Sequence, residues 1–245
     1  MSTDHPAPTA DDRRPPCAGA DTGRRILAPC LGLALALFGG AIAWAVIEGT
    51  SPVFRVPREY HIRNLGAPTE KFDALRAVEV NVNRHNAMLE LTWLGALVAG
   101  TLALREAIGR RALWPVLLAV PVAAAVGCAA GFAGSLTYEA LGVGPLAELT
   151  ATLKVQAVVL GLLGLGIGLA LGLSSGSLGG FVVAGIAGMA GGILASVLYP
   201  VAVSFLLPGA STDSLVPAGA ANRLLWIAIA AGLAGLTVTA SARRR

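Results

Sequence analysis

The stretch GLGIGLALGLSSGSLGGFVVAGIAGMAGGILAS, residues 164–196, carries a small residue at every fourth position: Gly164, Gly168, Gly172, Gly176, Gly180, Ala184, Gly188, Gly192 and Ser196. It contains no Asp, Glu, Lys or Arg. In a helix surrounded by water such a row is costly, because each glycine lowers helix stability by about 1 kcal/mol relative to alanine. In hydrocarbon it has a use. Small residues spaced by four let two helix backbones approach closely and gain van der Waals contact where no hydrophobic force draws helices together. The expected fold is therefore all-α and polytopic, with about six transmembrane helices and glycine-zipper packing of the fourth and fifth. The helix-packing residues are Gly164, Gly168, Gly172, Gly176, Gly180, Gly188 and Gly192, with Ser174 to Gly180 as the turn.

The rest of the chain supports that class. Of 245 residues, 55% are hydrophobic and 13% charged, with a mean hydropathy of +0.71; soluble domains carry about 25% charged residues. Six apolar runs read as spans: 26–47, 87–104, 112–133, 155–173, 178–207 and 224–240. A span needs about 20 apolar residues. Ile26 to Ile47 is longer than the about 7–15 residues of a signal-peptide core, so an uncleaved helix is expected, although Ala43-Trp44-Ala45 has the form of a cleavage site. Pro121 and Pro200 are expected to bend the third and fifth spans. Residues 1–25, rich in Pro, Asp, Ala, Thr and Arg, read as a disordered cytoplasmic tail in front of a membrane domain over 26–245.

Arginine placement sets an expected orientation. With the amino terminus inside, the cytoplasmic segments hold ten arginines against five acidic residues, among them Arg24, Arg25, Arg105, Arg110, Arg111 and Arg243 to Arg245. The opposite side holds eight basic against nine acidic residues. This is the positive-inside pattern, with both termini cytoplasmic. The richness in Ala, Gly, Leu and Arg is of the kind GC-rich bacterial genomes encode, so the expected location is a bacterial inner membrane.

The segment 48–86 is the one sizeable extramembrane stretch. Its first part, with Pro52, Pro57, Gly66 and Pro68, reads as a turn-rich loop. From Thr69 the apolar residues Phe72, Leu75, Val78, Val82 and Leu89 recur at helical spacing, which predicts one continuous helix from about Glu70 to Ile108, packed along that stripe where it leaves the membrane.

Candidate chemistry is sparse. Glu79, Asn83, Asn86 and Glu90 share one face of the long helix, and Glu90 falls about one turn inside the second span. An ionisable group within a span is a functional candidate by default; the alternative is that it lies at headgroup depth and reaches water. Glu48, Glu139 and Glu148 also fall near the outer ends of spans, where carboxylates can attract cations. The candidate transport or polar site is thus Asn83, Asn86, Glu90, Glu139 and Glu148. Cys17, Cys30 and Cys128 form neither a disulfide framework nor a zinc motif, and Tyr60-His61 and His85 supply no clustered ligand pair. No histidine lies in an apolar run, and no P-loop or HExxH motif occurs. GLGIG at 164–168 follows no strand and lacks the dinucleotide-binding spacing. No catalytic residue, metal or cofactor is expected. The partners expected are the lipid bilayer and a protein partner or second copy, not nucleic acid. Two functions fit: a structural or interaction component that docks a partner on the outward helix, or a small transporter or channel subunit using the outer carboxylates for a cation or small solute.

Overall fold

A computed structural model describes residues 18–60, 69–141, 149–174, 177–212 and 214–242. The described residues form six α-helices, α1 (Ala18–Thr50), α2 (Thr69–Arg110), α3 (Trp114–Ala140), α4 (Leu149–Ser174), α5 (Leu178–Leu206) and α6 (Ala220–Ser241), and one 3-10 turn at Arg58–Tyr60. All six are long and apolar enough to cross a membrane. The chain has the architecture of a multi-pass membrane protein.

Helices adjacent in sequence are adjacent in space, and α6 returns to α1, so the six close into a ring. Within it α2, α4 and α6 also touch one another and form the inner layer. In the apolar window of α4, 67% of residues are buried; in that of α3, 28%.

Side-chain size runs opposite to that of a soluble protein. The buried residues of α5 are mostly small, including Gly180, Ala184, Gly185, Gly188, Gly191, Gly192, Ala195 and Ser196. Its large ones, among them Val182, Ile186, Val197 and Phe205, point outward. Water would penalise that exterior by about 25 cal/mol for each Å² of apolar surface, whereas lipid does not.

The antiparallel helices α4 and α5 meet along their small residues. A Cβ added at Gly164 would overlap the Gly188 carbonyl, one at Gly168 the Ala184 carbonyl, and one at Gly192 the Leu160 carbonyl. One at Gly172 would crowd the backbone of Phe181. Gly180 lies in the first turn of α5, its N–H donating to Oγ of the N-cap Ser177 (3.0 Å). Gly176 lies outside the described residues.

Two further seams are built in the same way. On α3, Ala119, Ala123, Gly127, Gly131 and Ser135 form a buried row spaced by four. Gly127 and Gly131 lie against the α2 backbone at Leu91 and Met88, and Gly95 of α2 lies against Ala123. Gly32, Gly40 and Gly235 bring α1 and α6 together.

The long second helix is continuous, and its 42 residues span about 63 Å at 1.5 Å each. Its free end departs from expectation. Phe72 is 42% exposed and Leu75, Val78 and Val82 are half-buried, so the apolar stripe is only partly covered. The ring explains this: α3 ends at Ala140, level with Arg84, and α2 continues past it. The first helix begins at Ala18, inside the stretch read as a tail. Once a span has formed, each added helical residue gains a backbone hydrogen bond without a new nucleus. Residues 1–17 lie outside the described residues. Both α3 and α5 stay helical through Pro121 and Pro200.

Candidate functional site

At the end of the bundle where α1 stops and α6 starts, the connection between α5 and α6 folds inward. It turns at Gly209 and Gly219, whose φ angles of 93° and 83° suit glycine. Leu215 packs against α3 beside Gly134. Irregular backbone packed against helices needs partners for its carbonyls, and side chains supply them. Gln156 of α4, 1% exposed, donates from Nε2 to the Ser214 carbonyl (3.0 Å) and accepts the indole N–H of Trp226 at Oε1 (2.9 Å). Asn222 donates from Nδ2 to the Ser211 carbonyl (2.9 Å) and accepts the hydroxyl of Tyr199 (2.8 Å). Arg223 Nε donates to the Pro217 carbonyl (3.3 Å).

The start of the α1–α2 connection is fixed to α2 from the other side. Asn86 pairs with the backbone of Phe54, donating to its carbonyl (2.9 Å) and accepting its N–H (3.0 Å). The hydroxyl of Ser51 donates to Oε1 of Glu90.

Between these pinned connections and the helix ends lies a cavity of about 500 Å³. Its polar lining is Glu48 and Ser51, then Asn83, Arg84, Asn86 and Glu90 of α2, Ser135, Tyr138 and Glu139 of α3, Ser214, and Arg223. Pro52, Val80, Ala87, Leu215, Val216 and Ala218 complete the wall. Two ion pairs cross it. Arg223 Nη1 donates to Glu48 Oε1 at 2.7 Å. Arg84 pairs with Glu139, and its Nε donates to Ser135 Oγ at 2.8 Å. The Arg84 guanidinium also lies over the Phe132 ring, 5.8 Å from its centre. Glu90 is 8% exposed, and its hydrogen-bond partner is a hydroxyl rather than a cation.

The site brings together Asn83, Asn86, Glu90 and Glu139 of the candidate site, with Glu48, named from sequence as a further outer carboxylate. Glu79 is exposed and outside the lining, although its neighbour Val80 is part of it. Glu148 lies outside the described residues. His85 stacks near Phe54, 5.4 Å between ring centres, and faces the Asn81 carbonyl. Among the described residues no three His, Cys, Asp or Glu side chains are grouped to hold a metal ion.

Sequence reasoning missed Arg84, Arg223, Ser51, Ser135, Gln156 and Ser214. One signal was available: Gln156 is an amide inside an otherwise apolar run, the kind of polar residue that spans keep for a purpose. The two arginines gave none, since their partners come from other helices. Comparison with protein families, curated proteins and solved structures gives no match.

Proposed function

We propose that this chain is a solute-binding membrane protein of the transporter type, which takes a small solute into the Glu90 cavity. The observation that carries this reading is Glu90 itself. A carboxylate at headgroup depth would stand in water, but this one is buried and lines a cavity shared by several helices. The volume falls in the range of about 300–1,000 Å³ that small-molecule sites occupy, and the mixture of apolar wall and a few converging polar groups is their usual composition. The role proposed is binding and passage. In this reading the membrane is a bacterial inner membrane, with Arg105, Arg110 and Arg111 on the cytoplasmic side and the cavity opening away from it.

The test is water access. In a variant with Cys17, Cys30 and Cys128 replaced, Ser51→Cys in reconstituted vesicles is expected to react with a small cationic methanethiosulfonate added to one side only. A thiol that stays unmodified from both sides would end the reading.

The interaction role keeps one supporting observation. About four turns of α2 extend beyond Arg84 and carry the exposed Phe72. A photo-crosslinker at Phe72 that captures neither another protein nor a second copy in intact cells would remove it.

A further inference from the structure

The cavity's charges also indicate what it takes. Three carboxylates and two guanidiniums line it. Arg223 is engaged by Glu48, and Arg84 by Glu139, so both positive groups already have anionic partners. The carboxylate left without an ion-pair partner among the described residues is Glu90, whose one hydrogen bond there comes from Ser51.

Three ligand classes can be compared. An anion would meet guanidiniums already neutralised and would face Glu90. A bare metal ion is best held by several grouped charged or imidazole ligands, and among the described residues no three His, Cys, Asp or Glu side chains are grouped that way. An organic cation needs one carboxylate for its charge and apolar wall for its body. Pro52, Val80, Ala87, Leu215 and Val216 give the wall, and Tyr138 adds an aromatic ring, a surface that attracts cations.

Building on the solute-binding reading, we infer that the cavity receives a small amphipathic organic ammonium ion, its charged nitrogen at Glu90 and its apolar body against the Leu215–Val216 wall. Ser51 orients the carboxylate. The two ion pairs keep the remaining charges silent, so selectivity rests on a single carboxylate.

The experiment uses the full chain in lipid nanodiscs and three probes of similar shape: phenylethylammonium, 2-phenylethanol and 3-phenylpropionate. Calorimetry is expected to show binding of the ammonium at least tenfold tighter than that of the alcohol, and none of the carboxylate. Glu90→Gln is expected to remove that preference. The selectivity of the unaltered chain is decisive even if Glu90→Gln folds poorly. Equal binding of ammonium and alcohol, or undiminished preference in a folded Glu90→Gln chain, overturns the inference while leaving the cavity a solute site. Failure of all three probes also overturns it. Whether the solute-binding reading survives that result is decided separately, by the reactivity of Ser51→Cys.

Discussion

At the scale of single residues, the site is held by side chains that satisfy backbone. Gln156 is the clearest case: one amide holds the Ser214 carbonyl and the Trp226 indole at once. Leucine at that position fits the apolar surroundings but leaves both groups without partners. Interhelical hydrogen bonds in membranes contribute about 0.6 kcal/mol each on average and at most about 1.7. Gln156→Leu is therefore expected to destabilise the chain by about 1–3 kcal/mol, read from unfolding in mixed micelles, and to lower occupancy of the cavity as well. An unchanged unfolding midpoint would show that the α5–α6 connection is held elsewhere. Residues of this kind are where the sequence is least informative. Asn86 and Glu90 stand out because their spacing by four places them on one helix face. The engagement of Arg84 with Glu139 depends on the level at which α3 happens to end, and no local pattern encodes that.

At the scale of elements, close packing and lipid exposure divide each outer helix into two faces. Gly188 faces Gly164, and there is no room for a side chain between them. Ile186, two residues away, is 56% exposed. Gly188→Leu is expected to separate α4 from α5 and to cost about 1–3 kcal/mol or more, the scale of overpacking. Ile186→Leu, which keeps volume and faces outward, is expected to cost well under about 1 kcal/mol. Comparable losses at both positions, measured by the same unfolding assay, would mean that the small-residue seam does not set the α4–α5 distance. Helix positions were largely legible because hydrocarbon thickness demands long apolar runs and such runs are visible in the sequence. The glycine row of α4 and α5 stands out in the sequence through its period. The matching row on α3 has the same period, but it opens on Ala119 and Ala123, residues ordinary enough in any helix to hide it. The projecting end of α2 was read correctly as helix and wrongly as well packed, because periodicity marks an apolar stripe without saying what covers it.

At the scale of the whole molecule, the ring makes a geometric commitment. The last helix lies against the first, with Gly40 of α1 beside Ala231 of α6; a Cβ at Gly40 would stand 3.1 Å from that of Ala231. Disulfides join Cβ atoms about 3.5–4.5 Å apart, so a small separation of the helices accommodates one. In a background without native cysteines, Gly40→Cys with Ala231→Cys is expected to crosslink on mild oxidation in membranes, seen as faster migration on a denaturing gel. Absence of the crosslink would mean an open arc of helices. That closure also orders events during synthesis. The ribosome delivers α1 first and its neighbour α6 last, so the seam that completes the bundle is the final one available. Until it forms, one flank of α1 must be sheltered by lipid or by the insertion machinery. A chain truncated before Ala220 would therefore lose more than one span: it would be left with an unclosed first helix and without Asn222 and Arg223, the residues that anchor the cavity's inner wall, and cellular quality control would have a distinct intermediate to recognise.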